Sequence, residues 1–227
     1  MTLTFEEVAF FSDSFIGVPS GSTYDYSGFT NADVTMPATV FPDDVLLVEI
    51  RFADTFSSPP SGWTLLVYEA NFFTGGLYGR IADGSEASVT VTFPIAPQTP
   101  FALSTQPYVY TVARYSGGFA TFGETFHQWE VSPTEFDFPA SSSEFRSGMG
   151  LTREPASATV TVDGEATVRG SSDGANGVVH IWWDVLDFGV DAATVTFAST
   201  GADAIPSLAV LVSDIGADAY VGILAEG

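Results

Sequence analysis

Apolar and polar residues alternate along much of this chain with a period of two, the spacing of a half-buried β-strand. In Val89–Phe93 the apolar Val89, Val91 and Phe93 alternate with Thr90 and Thr92, and Ala192–Ala198 repeats the Thr-Val-Thr-Phe pattern. Asp44–Phe52 splits into two faces. Val45, Leu47, Glu49 and Arg51 fall on one, and the wholly apolar Leu46, Val48, Ile50 and Phe52, expected to face the core, on the other. Further strands are predicted at Thr2–Phe11, Asp33–Val40, Thr64–Tyr68, Pro107–Tyr115, Thr125–Val131, Val178–Phe188, Ser207–Val212 and Ala219–Leu224. Polar, Gly-rich and Ser-rich stretches at Ser12–Thr30, Ala140–Ser147 and Gly170–Gly177 read as loops.

Two hairpins follow from the turn residues. Leu77–Ala82 and Ala87–Phe93 flank Asp83-Gly84-Ser85-Glu86, a four-residue connection inside Pro60–Phe93, the stretch around which the chain is organised. In Ser157–Arg169, a bulged turn at Val162-Asp163-Gly164 pairs Thr161 with Glu165, Val160 with Ala166, Thr159 with Thr167 and Ala158 with Val168. That register puts Ala158, Val160, Ala166 and Val168 on one face.

No amphipathic run is long enough for a helix. About a dozen short strands with turn signals between them predict an all-β chain, an antiparallel β-sandwich of jelly-roll type with little or no helix. A single domain over residues 1–227 is expected, the alternative being two small β domains, 1–118 and 119–227. No internal repeat of fixed period is present; the Thr-Val-Thr echoes are unevenly spaced.

Charge sharpens the picture. The chain carries 28 acidic residues against 6 basic ones, all arginine, for a net charge of −22. Codon bias toward GC would remove lysine but enrich arginine, which is scarce here too. Such a surface repels itself in dilute buffer. At about 1 M salt the Debye length falls to about 3 Å and the repulsion is largely screened. A very salty setting is the expectation, with an ordinary acidic surface as the alternative. Six scattered arginines cannot neutralise a phosphate backbone, so no nucleic-acid partner is expected, and an anionic membrane surface is disfavoured for the same reason. The segment MTLTFEEVAFF has no basic start and carries Glu6-Glu7, unlike a signal peptide. Ile205–Ala225 is interrupted by Asp214, Gly216 and Asp218, so it does not read as a membrane span. With no cysteine, disulfides and thiolate metal sites are ruled out.

Candidate chemistry is sparse. His180, Trp182 and Asp184 alternate on one strand and so share a face. If exposed, they form a platform for a sugar ring or a subunit contact, and Trp129 is a second aromatic of this kind. Otherwise Trp182 or Trp183 faces the core, since adjacent residues of a strand point opposite ways. Asp83-Gly84, Asp163-Gly164 and Asp173-Gly174 are turn signals first, and none groups three carboxylates as calcium ligands. Carboxylate pairs such as Asp184/Asp187 arise by chance among so many acids, and no Gly-x-Ser-x-Gly or His-Glu-x-x-His motif is present. No catalytic residue, cofactor or metal site is expected. Arg80 and Arg114 should each pair with a nearby carboxylate, Glu86 in the case of Arg80.

Gly62-Trp63-Thr64-Leu65-Leu66, Tyr78, Arg80, Ala82, Ser85-Glu86 and Tyr115-Ser116-Gly117 follow one another within Asp44–Gly118, about a third of the chain. In that order they resemble a recurrent β-sandwich module of virion proteins of tailed viruses. The resemblance implies a non-enzymatic structural protein. With the lysine-free acidic composition, it implies a capsid decoration or turret subunit on a virus of a halophilic host. Its partners would be further copies of itself and other virion proteins such as the major capsid protein, assembled in the host cytoplasm. A tail or fibre protein is one alternative. A carbohydrate-binding module that meets a host surface glycan is another.

Overall fold

The computed structural model describes residues 3–25, 28–51, 58–69, 75–95, 105–117, 120–131, 134–140, 146–155, 160–172, 178–189, 191–199 and 204–214. Seventeen strands run through them and no helix. In chain order these are β1 (Thr4–Ile16), β2 (Val18–Ser20), β3 (Thr23–Asp25), β4 (Asn31–Thr35), β5 (Pro42–Arg51), β6 (Thr64–Glu69), β7 (Gly75–Asp83), β8 (Thr90–Pro94) and β9 (Thr105–Ser116). There follow β10 (Ala120–Val131), β11 (Thr134–Phe138), β12 (Arg146–Pro155), β13 (Val160–Gly164), β14 (Thr167–Ser171), β15 (Val178–Val185), β16 (Ala193–Ser199) and β17 (Ala204–Asp214). All pairings are antiparallel.

Two five-stranded sheets form the centre. The first has the order β1-β9-β5-β7-β6 and the second β10-β17-β12-β15-β14. Outside the first lies the pair β4-β8, with the small pair β2-β3, and outside the second the three-stranded sheet β11-β16-β13. Three apolar cores separate these layers. Leu46, Val48 and Ile50 of β5 meet Ala32, Val34 and Phe93 of the β4-β8 pair. Val45 and Leu47, on the opposite face of β5, meet Leu151, Trp182, Leu208 and Val210 of the second sheet. Trp183, Ala209 and Leu211 then meet Phe136, Phe138, Val195 and Phe197 of the outer sheet.

The predicted antiparallel sandwich is therefore present as the two central sheets, with a further layer outside each. The wholly apolar face of β5 points into a core at Leu46, Val48 and Ile50, as expected, and Phe52 lies outside the described residues. Its other face is buried too at Val45, Leu47 and Glu49, because its sheet lies inside the stack. Strands β1 to β9 build the first central sheet and its neighbours, and β10 to β17 build the rest. The middle core draws on both sets.

Neither predicted hairpin forms. β7 pairs with β5 and β6, whereas β8 pairs with β4. The Asp83–Glu86 turn carries the chain from one layer to the next. The Glu86 carboxylate accepts from the Asp83 and Gly84 amides, which makes a corner in place of a ladder. Likewise β13 pairs with β16, and β14 with β15 in a different sheet. Gly164 does adopt the left-handed conformation, with φ of 84°. Val168 is exposed whereas Ala166 packs against the outer core, so these two do not share the expected face; Ala158 and the side chain of Val160 lie outside the described residues.

Other departures are additions. β1 continues through Ser12–Ile16 and β2-β3 follows, where a loop was expected. Arg146 and Ser147 open β12, and β14 extends to Ser171. The predicted strand Ala219–Leu224 lies outside the described residues.

Candidate functional site

The most concentrated chemistry lies in the middle core, where β15 crosses the end of β9. Trp182 and Trp183 point to opposite faces of the sheet, into the middle and the outer core respectively, as adjacent residues must. The Trp182 indole N–H donates to the Tyr115 hydroxyl at 2.7 Å, and that hydroxyl donates to Asp184 at 3.0 Å. Arg169 reaches Asp184 from the neighbouring β14, with its Nε 2.8 Å from Oδ2. The Arg169 guanidinium lies over the Phe5 ring of β1 at 5.0 Å, and Phe5 meets Tyr115 edge-on at 5.5 Å. The circuit Asp184–Arg169–Phe5–Tyr115 closes one seam of the sandwich with charge, ring faces and hydrogen bonds together.

A bulge delivers Arg169. The register of β14 on β15 shifts between Val168 and Gly170, which turns the intervening side chain. Burial raises the Asp184 carboxyl above its ordinary value, and the hydrogen bonds and charge of Arg169 with the bond from Tyr115 only partly offset this. Burial, then the Asp184 charge, pushes the Tyr115 phenol well above its own, so it remains a protonated donor.

Further along the same interface Glu49 of β5 faces His180 of β15, with Oε2 3.9 Å from Nδ1 and both side chains sealed from solvent. Thr111, opposite Glu49 in register, is buried beside them.

These positions correct the expected platform. His180, Trp182 and Asp184 do share a face, but it is the face packed against the first sheet. They are 1%, 0% and 1% exposed, so no sugar ring reaches them. The reason is the stacking of layers: β15 is covered on both sides. Trp129 lies on β10 opposite Pro206 in register, and its side chain falls outside the described residues.

The arginines were legible as ion-pair partners. Arg80 lies 2.5 Å from Glu86 and 3.1 Å from Asp83. Arg114 gathers three carboxylates, Asp44 and Glu7 at 3.0 Å and Glu6 at 3.7 Å. Burial works against its charge, but the hydrogen bonds and charges of Glu7 and Asp44 prevail and hold the guanidinium above its ordinary value. Arg146 falls in the Ala140–Ser147 stretch that the sequence marks as a loop. It is 2% exposed, donates to the carbonyls of Pro139, Gly189 and Asp191, and lies over the Phe188 ring at 4.7 Å. Nothing in the local pattern announces it, because its acceptors are backbone carbonyls that any residue supplies.

Among the described residues no three His, Asp or Glu side chains are grouped to hold a metal ion, and no helix is long and apolar enough to cross a membrane. In comparisons with known proteins, no family model matches the chain, and no curated protein and no solved structure matches it.

Proposed function

We propose that this chain is a non-enzymatic structural protein of a virus particle, a capsid decoration or turret subunit present in many copies on a virus of a halophilic host. The observation that carries the reading is where the cations sit. All four arginines whose side chains are described, Arg80, Arg114, Arg146 and Arg169, are at most about a quarter exposed; Arg80 pins the corner after β7, and the other three tie separate strands or connections together. Their positive charge works inside the fold, and among the described side chains the exposed charges are acids.

A stack of β layers tied by buried ion pairs is a stiff building block. An acidic exterior keeps copies apart in dilute solution and lets them approach once salt screens the charge. Assembly then sums weak subunit contacts over a symmetric ring or lattice. The resemblance of Asp44–Gly118 to virion β-sandwich modules points to a particle surface as the setting. The glycan-binding alternative loses the platform that suggested it, since His180, Trp182 and Asp184 are interior.

Electron microscopy of the purified chain in molar salt tests this. Rings or patches of one recurring symmetry are expected. Isolated monomers at high concentration in molar salt would overturn the reading.

A further inference from the structure

The edges of the sheets are not treated alike. Each edge strand of the two central sheets carries its own bulge: β1 between Phe5 and Glu7, β6 between Leu65 and Val67, β10 between Phe122 and Thr125, and β14 between Val168 and Gly170. A bulge twists an edge and breaks the even row of amides and carbonyls that a foreign strand needs. The outer three-stranded sheet lacks this protection. β11 pairs with β16 in unbroken register from Thr134–Phe197 to Phe138–Ala193. Among the described residues it pairs on that side alone.

The β11 side chains state what would fit. Phe136 and Phe138 point into the outer core, 3% and 0% exposed. Glu135 and Asp137 alternate with them on the exposed face, where Asp137 accepts from Thr194 at 2.9 Å. A strand added beside β11 places its own outward residues about 5 Å from these two carboxylates and its inward residues against the rim of the Phe136–Phe138 core. Like charges there are destabilising and opposite charges stabilising.

We infer that the β11 edge takes a fourth strand from another protein, an extended segment in which apolar residues alternate with lysine or arginine. A second copy is a poor occupant. The chain has no lysine and no two arginines at alternate positions. Strand addition draws affinity from main-chain hydrogen bonds and specificity from alternate side chains. A site five residues long binds weakly by itself, which suits contacts repeated over many copies. The inference stands on the edge and its charges and is independent of the virion reading.

The probe is a capped octapeptide alternating valine with lysine, with a scrambled peptide of equal composition and a valine–glutamate counterpart as controls. Titrations use the lowest salt at which the circular dichroism of the folded sheet is retained. Saturable binding of the alternating peptide is expected, with slowed amide exchange at Glu135–Asp137. Glu135→Lys, which leaves the Asp137–Thr194 bond in place, should weaken it about tenfold or more. The double variant with Asp137→Lys should take up the valine–glutamate peptide instead. Equal binding of the scrambled peptide, indifference to Glu135→Lys, protection at another edge, or pairing of two copies through β11 would each overturn the inference.

Discussion

The Tyr115 hydroxyl donates to Asp184 at 3.0 Å while accepting from the Trp182 indole at 2.7 Å, and through these two bonds the β1–β9 part of the chain grips the β10–β17 part inside their shared core. Removing the hydroxyl leaves a buried indole N–H without its acceptor and takes one donor from a buried carboxylate. An unmade buried hydrogen bond costs about 1–3 kcal/mol. Tyr115→Phe should therefore lower stability by about 2–3 kcal/mol. Urea unfolding followed by tryptophan fluorescence reads this directly, and a shift of the midpoint without a change in slope is expected.

Asp184 gives a pH dependence with a definite sign. Its folded pKa is raised because desolvation outweighs the help from Arg169 and Tyr115. The native state therefore holds this proton more tightly than the unfolded chain, and the contribution of Asp184 to stability falls as pH rises from the ordinary carboxylate value, about 4, to the folded value. Asp184→Asn cannot titrate. The stability of the native chain minus that of the variant should decrease across that window and then level off, measured as urea midpoints at a series of pH values. An increase would show that the Arg169 pairing outweighs desolvation.

Arg146 holds the Pro139 carbonyl just after β11 and the Gly189 and Asp191 carbonyls just before β16, and stacks on Phe188. A lysine there has the charge but neither the planar fork nor the reach to three acceptors. Arg146→Lys should cost about 2–4 kcal/mol, since a buried charge loses partners. The outer sheet should loosen first, visible as faster amide exchange in β11 and β16 than in β5 and β9.

Gly150 sits where β12 passes close to its neighbours. A Cβ there would lie 2.5 Å from the Leu208 carbonyl oxygen and 2.7 Å from the Trp183 ring. Gly150→Ala should destabilise by about 1–3 kcal/mol, the usual cost of overpacking. Thermal melts of this variant beside Gly189→Ala make the comparison. A Cβ at Gly189 meets nothing within 4 Å, and its φ of 61° carries only backbone strain.

How much of this was legible follows from what a period of two encodes. Alternation marks faces, and so β5, β16 and the opposed Trp182 and Trp183 were read correctly. It does not name partners. Leu77–Ala82 and, of Ala87–Phe93, residues Thr90–Phe93 are strand on either side of a turn, yet they join different layers, because the apolar faces of β4 and β8 cover the Leu46–Ile50 face of β5. β12 escaped notice for a related reason. Its outer-core face presents Gly148 and Gly150, which lack side chains because Phe138 and Trp183 occupy that space. That leaves Met149 and Leu151 as the core apolar residues of β12, too few to mark a strand by alternation. The site was misplaced by the same gap: His180, Trp182 and Asp184 share a face as expected, but only the order of the layers shows that this face is interior.

The central claim joins an acidic exterior to assembly in salt. The most direct test is the molar mass of the purified chain by light scattering, in molar salt and in dilute buffer, with circular dichroism on the same samples. A discrete oligomer in molar salt that dissociates or unfolds in dilute buffer is the predicted result. A folded monomer indifferent to salt in both would contradict it.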